Sequence, residues 1–281
     1  MKLAQKIAIN YIRGKLNIIA AISKKKAAKK AFEIFCTPVK RGKKKKIPEV
    51  FKKAENLSFD LDGHTVRGYR WNTSSAGKTL IVHGFESSSW NFDRYIIPLV
   101  RKGHEVMAFD APAHGLSDGK QLTLPLYIKT ISRINDLYGP LRSILAHSLG
   151  GLTVIHFLEN LSLDESTKVV LIAPATETTT AIDSFFDFLE LNDELRKEFD
   201  QLIFEMGGFP PEHYSIRRAI KNVDATILWI HDEHDDMTPL KDALVVREDN
   251  HPNVEFVITS GLGHRRIYRD NEVFRRVLDF L

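Results

Sequence analysis

The sequence predicts an α/β protein built on a mostly parallel, doubly wound sheet, and three observations carry that expectation. From Leu57 onward, short runs that are apolar at nearly every position recur: TLIVH at 79–83, EVMAFD at 105–110, RSILAH at 142–147, KVVLIA at 168–173, TILWIH at 226–231 and VEFVIT at 254–259. Longer stretches with helical spacing separate them, near 88–102, 125–138, 149–160, 239–247 and 270–281. Strands apolar on both faces need helices above and below, which is the arrangement of a covered parallel sheet. The third observation is where the polar clusters fall. HGF, FDAPAHG, AHSLGG, HDEHDD and GLGH all sit just past a run, at the strand ends where open α/β sheets keep their chemistry.

The elements divide the chain in two. Residues 1–53 hold 17 Lys or Arg against Glu33 and Glu49, so a basic helical extension precedes a mildly acidic body at 54–281. Within the extension, 2–22 reads as a moderately amphipathic helix and about 24–36 as a second, basic helix, and KRGKKKKIP reads as an exposed connector, too charged and too rich in breakers to pack. The body carries one interruption, about 175–224, where AIDSFFDFLEL, DELRKEFDQLIFEM and GGFPPEHYSIRRAI look helical. Insertions of this length are usually functional and often form a lid over a site.

Composition narrows the setting. A single cysteine, Cys36, leaves no internal disulfide and fits a reducing compartment. The longest apolar runs fall far short of the ~20 residues that span a bilayer. Lys6, Arg13 and Lys15 break up any signal-peptide core, so the expected location is cytoplasmic. For the extension, one expectation is docking of its apolar stripes on the body with the lysines in water. The competing one is peripheral contact with the anionic inner membrane surface, helped by six cations among residues 40–46. Nucleic acid is not expected, because no reading module accompanies the charge.

Ser148 is the first candidate for chemistry. In Ala146-His147-Ser148-Leu149-Gly150, with Gly151 next, a serine sits between an apolar run and a helix, flanked by small residues as a tight strand-to-helix turn requires. Its bland reading is an N-cap for the following helix. A serine hydroxyl attacks poorly without a base, and the base must itself be oriented. His264, in the glycine-lined loop GLGHRR after the last strand, is the candidate base. HDEHDDMTP offers Asp235 to orient it, with Asp236 in reserve and Asp232 as a structural turn residue. A metal reading of His231 and His234 lacks a third ligand with convincing spacing.

Taken together, HGF, FDAPAHGLSDG, AHSLGG, HDEHDDMTP and GLGH make residues of about 57–281 resemble the α/β-hydrolase fold family, with alanine in place of the first glycine of the serine motif. The resemblance implies Ser148 as nucleophile, Asp235 as acid and His264 as base, and it assigns the oxyanion hole to the backbone N–H groups of Phe85 and Leu149. His83 and Gly84 would shape the oxyanion loop, and Asp110 and His114 would tie loops together. The function expected is a serine hydrolase acting on an ester or thioester of a small or acyl substrate through an acyl-enzyme, without cofactor or metal. Acyl transfer, C–C bond hydrolysis, peptidase or haloperoxidase chemistry could use the same residues, as could a non-catalytic ligand binder the same fold. Epoxide hydrolase and dehalogenase relatives carry aspartate where Ser148 stands.

Overall fold

A computed structural model of the protein describes residues 3–39, 46–73, 75, 77–162 and 166–281, with the backbone alone at 3–5. The connector run of six cations falls at 40–46, so all of it but Lys46 lies outside the described residues. In chain order come α1 (Leu3–Ile22), α2 (Lys24–Phe35), α3 (Glu49–Lys52), β1 (Glu55–Leu61), β2 (His64–Trp71), β3 (Gly77–Val82), α4 (Asp93–Arg101), β4 (His104–Phe109) and α5 (Leu124–Tyr138). Then follow β5 (Ser143–His147), α6 (Leu149–Leu158), β6 (Lys168–Ile172), α7 (Thr178–Leu189), α8 (Asp193–Gly207) and α9 (Ile216–Ala219). Last are β7 (Thr226–Asp232), α10 (Leu240–Glu248), β8 (Val254–Thr259), α11 (Gly263–Arg266) and α12 (Asn271–Phe280).

Among the described residues the strands form one sheet in the order β1-β2-β4-β3-β5-β6-β7-β8. The pairings of β2 with β1 and β4 are antiparallel, and all others are parallel. Both faces are buried, as the doubly apolar runs require. Leu80 belongs to one core layer and its neighbour Ile81 to the other, because successive strand residues point to opposite faces. The first layer takes Tyr127 and Ile131 of α5, Ile155 of α6 and Val246 of α10. The second takes Tyr95 and Leu99 of α4 and Val273 and Val277 of α12.

The hairpin β1–β2 is absent from the runs read in sequence, and the reason is physical. ENLSFDL in β1 buries only Leu57 and Leu61, so its alternation lacks the continuous apolar signal of the inner strands.

The chain divides into two compact units, 1–37 with 177–215, and 38–176 with 216–281. This differs from the division at residue 53 that the charge suggested. Phe51 of α3 is buried and packs edge-on against Tyr69 and Trp71 at centroid distances of 4.8 and 5.1 Å, which ties the last part of the basic extension to the sheet. At the other end, Ile216, Ala219 and Ile220 join the sheet's core, so the helical insertion contributes only 177–215 to the unit that holds 1–37.

The helical unit shows which part of the body takes α1 and α2: the helices of its insertion. Their buried side chains, Ile9, Leu16, Ala27, Ala28 and Ala31, cluster with Ile182, Phe186, Leu189, Leu195, Phe199 and Ile203 of α7 and α8. The alanines let α2 come close, and aromatic rings fill the space beside it. Phe32, Phe35 and Phe186 lie 5.7, 5.9 and 5.2 Å from Phe199 by ring centroid. Charge agrees with packing. The unit holds 11 Lys or Arg and 11 Asp or Glu, so the basic helices meet an acidic complement. Lys24 pairs with Glu194 at 2.7 Å, Lys25 with Glu205 at 2.9 Å, and Arg13 with Glu190. Among the described residues no helix is long and apolar enough to cross a membrane.

Candidate active site

Register brings the polar strand ends together. Val82 lies beside Ala146, Ala146 beside Leu171, Ile172 beside Ile230 and Ile230 beside Val257, so residues 83, 148, 173, 232 and 259 leave the sheet at one end. Ser148 occupies the turn between β5 and α6 at φ 56°, ψ −128°, a conformation a side chain rarely adopts. The surroundings over-determine it: Ser148 N–H donates to the Ile172 carbonyl at 3.2 Å, and its own carbonyl accepts from Gly151 and Ala175 at 2.9 and 3.1 Å. The turn tolerates no bulk. A Cβ on Gly150 would lie 2.7 Å from the Val82 and His83 carbonyl oxygens, and one on Gly151 would lie 2.6 Å from Pro174. A Cβ on Gly84 would meet that of Ser148 itself at 2.6 Å. Ala146, the departure from glycine, is accommodated fully buried in the strand.

The N-cap reading of Ser148 does not describe this turn. Its hydroxyl caps no helix N–H and instead lies 3.0 Å from Nε2 of His264. Nδ1 of the same imidazole lies 2.8 Å from Oδ2 of Asp235, so the proton sits on Nδ1 toward the carboxylate and Nε2 faces the hydroxyl. His264 sits in the helical turn α11 rather than in an open loop; Gly261 and Gly263, at φ 77° and 59°, lead into it. All three side chains are buried. Asp235 is held by N–H groups of Met237 and Thr238 at 2.9 and 2.8 Å and by the Thr238 hydroxyl at 2.9 Å. Burial alone would raise its pKa; the hydrogen bond and charge of His264 and these backbone donors outweigh that and bring it down to about 2.

The other acids of HDEHDD separate cleanly. Asp232 accepts N–H groups from His234, Leu262 and Gly263 at 3.0, 3.0 and 2.8 Å and the Thr259 hydroxyl at 2.8 Å, which locks the histidine turn to the end of β7. Asp236 is exposed and is not brought to His264. His231 uses both ring nitrogens on protein partners, Thr238 O at 2.7 Å and Trp229 Nε1–H at 3.2 Å, which leaves no lone pair for a cation.

Phe85 and Leu149 follow Gly84 and Ser148 in the chain, and Gly84 lies against the Ser148 side chain. Neither backbone N–H has an acceptor among the described residues, and that of Leu149 opens α6, whose N-terminal field favours negative charge. The residues around Phe85 are held by two neutral histidines. His83 donates Nδ1–H to Gly84 O at 2.7 Å and accepts Ala111 N–H at 2.9 Å; His114 accepts Glu86 N–H at 3.0 Å and donates to Pro112 O at 2.9 Å. Burial lowers both to about 4. Asp110 gathers Ser89 N–H and hydroxyl and Leu116 N–H, each at 2.9 Å.

Two residues were missed in the sequence. Thr238 braces Asp235 and also lies 3.1 Å from Nδ1 of His264; its position three after Asp235, where an aspartate turn takes backbone donors, was the available signal. His147 donates to the His264 carbonyl at 3.0 Å, with ring centroids 4.7 Å apart and its Nδ1 buried without a partner. Burial, and then the neighbouring His264, lower it to about 3. Nothing local in AHSLGG announces that contact, which joins residues 117 apart.

Residues 79–219 match the model of a family described as the alpha/beta hydrolase family. A human serine hydrolase-like protein is 33% identical over 94 residues, 32% of this chain and 45% of that protein. The chain thus spans under half of that curated relative. Among solved structures, an esterase of Pyrococcus furiosus, Pf2001, superposes with TM-score 0.65 at 21% identity, covering 88% of this chain and 97% of that one. The thioesterase domain from the curacin biosynthetic pathway superposes with TM-score 0.57 at 14% identity, covering 80% and 98%. At these identities the likeness is one of fold.

Proposed function

Since the chain belongs to the alpha/beta hydrolase family, we propose that it is a serine hydrolase cleaving an ester or thioester of a small or acyl substrate through an acyl-enzyme on Ser148. The single observation that carries this reading is the buried relay from the Ser148 hydroxyl through His264 to Asp235, at 3.0 and 2.8 Å. The names of the human relative and of the Pyrococcus esterase agree with it.

The chemistry follows from proton positions. As Ser148 Oγ bonds to the carbonyl carbon, its proton passes to Nε2 of His264, and the imidazolium is stabilised by the Asp235 carboxylate. The carbonyl oxygen becomes an oxyanion and takes the N–H groups of Phe85 and Leu149, each such donor being worth about 3–4 kcal/mol. Collapse breaks the bond to the alkoxide or thiolate, which leaves with the proton from Nε2. Water then gives a proton to Nε2 and its oxygen to the acyl carbon; the acid departs and the serine regains its proton. A depression of about 500 Å³ is bordered by His264, His234, Met237, Leu262 and Arg265.

The test is hydrolysis of short p-nitrophenyl esters together with labelling by a fluorophosphonate. Wild type should turn over and label at Ser148. Ser148→Ala should lose both, with kcat reduced by at least about 10⁴-fold. An unlabelled, inactive wild type would make the protein a ligand binder, and a fully active variant would remove Ser148 from the chemistry.

A further inference from the structure

Helix α1 is apolar on two faces. One carries Ile9 and Leu16, buried in the helical unit's core. On the other, Ile7, Tyr11, Ile18 and Ile22 are 61–80% exposed, and their spacing of four, seven and four sets them in one stripe along the helix. Single exposed apolar side chains are ordinary, but an aligned row of four marks an interaction surface. Lys15, about 50° round the helix from the middle of the stripe, sets a cation beside it. No carboxylate lies on α1, and Lys6 and Lys15 of α1 and Lys26 and Lys29 of α2 are exposed without an ion-pair partner among the described residues. Four acids of the unit pair with other cations of these helices: Glu190 with Arg13, Glu194 with Lys24, Glu205 with Lys25 and Glu33 with Lys30.

We propose that this stripe seats α1 on an anionic lipid surface, its isoleucines entering the acyl boundary and its free lysines meeting the headgroup phosphates. A helix with an exposed apolar stripe, a lysine beside it and no carboxylate of its own fits such a surface in both of its demands. Tyr11 suits the boundary, with an apolar ring and a hydroxyl that stays wet. A second copy fits worse. The stripe is symmetric about the midpoint of Gly14 and Lys15, so a twofold antiparallel pair would match Ile7 with Ile22 and Tyr11 with Ile18, and would set two Lys15 ammonium groups together at its centre. Four side chains per copy also fall short of the roughly 1,200 Å² that stable interfaces bury.

Flotation of the full chain tests this, with vesicles of phosphatidylcholine alone and of phosphatidylcholine mixed with phosphatidylglycerol, at low and high salt. The protein should float with the mixed vesicles at low salt, less at high salt, and little with phosphatidylcholine alone. Ile7→Asp combined with Ile18→Asp should lower the bound fraction at least about tenfold. Both positions are exposed, so the circular dichroism spectrum and turnover of a soluble ester should stay unchanged. Absence of flotation with either composition, or flotation undiminished in the double variant, overturns the proposal. So does a dimer by light scattering that the same substitutions dissociate, which would assign the stripe to a second copy.

Discussion

The two units solve the same problem with opposite means. In the sheet-bearing unit, chemistry-bearing side chains are fixed by backbone: strand ends in register, a serine forced to positive φ, carboxylates and neutral histidines bound to main-chain N–H and C=O groups. In the helical unit, α1 and α2 are set against α7 and α8 by side chains, with alanines and phenylalanines interlocking and lysines meeting glutamates across helices far apart in sequence. A site that must hold atoms to a fraction of an ångström is therefore found where the main chain does the holding.

The sharpest way to break that contrast is at the carboxylate. Asp235→Asn should lower kcat on an activated ester about 10⁴-fold, since the amide cannot hold the imidazole in the working tautomer. A variant that retained most of its activity would mean another acid orients His264.

The histidines give the next effect. His83, His114 and His147 are buried neutral, lowered to about 4, 4 and 3, below the ordinary 6.5 of an unfolded chain. The unfolded state therefore binds more protons below pH 6.5, and stability falls as pH drops from 6.5 toward 4. The loss should be about 1–2 kcal/mol for each ring by pH 5, several in all. Asp235 adds to this only later: its carboxyl, depressed to about 2, contributes stability above the unfolded value of 3.8 that is lost between about pH 4 and 2. Urea midpoints at pH 7, 6 and 5 measure the first part, and a flat series would show that these rings take up protons while folded.

In the helical unit, Phe199→Ala should remove about 3–5 kcal/mol of packing. The expected readout is faster proteolysis within 1–37 and 177–215, with Ser148 still labelled by fluorophosphonate. Smallest of all is Asp236→Asn, paired with the Asp235 variant: this side chain is exposed, and the expected change in kcat is under about twofold.

The same contrast explains what the sequence made legible. The inner strands are apolar at nearly every position, and a serine between small residues, a histidine after two glycines and an acid-rich turn each carry local marks. Strand β1, which buries only Leu57 and Leu61, lacks the first kind of signal. His147 acts through a partner 117 residues away, so no local pattern reveals it; Thr238 shows its place three after Asp235 but not its closeness to His264, 26 residues on. The unit boundary was hidden for a related reason. A basic segment gives no sign of its acidic complement until Glu194 and Glu205, some 170–180 residues downstream, are seen beside Lys24 and Lys25.

The closeness of Gly84 to Ser148 has a consequence for how this protein can vary. With only 2.6 Å between an added methyl at 84 and the existing methylene at 148, the two positions are yoked. Any descendant that keeps a hydroxymethyl group at one must keep a bare α-carbon at the other, or move the strand between them. Drift that begins at residue 84 thus reaches the nucleophile before it reaches anything else.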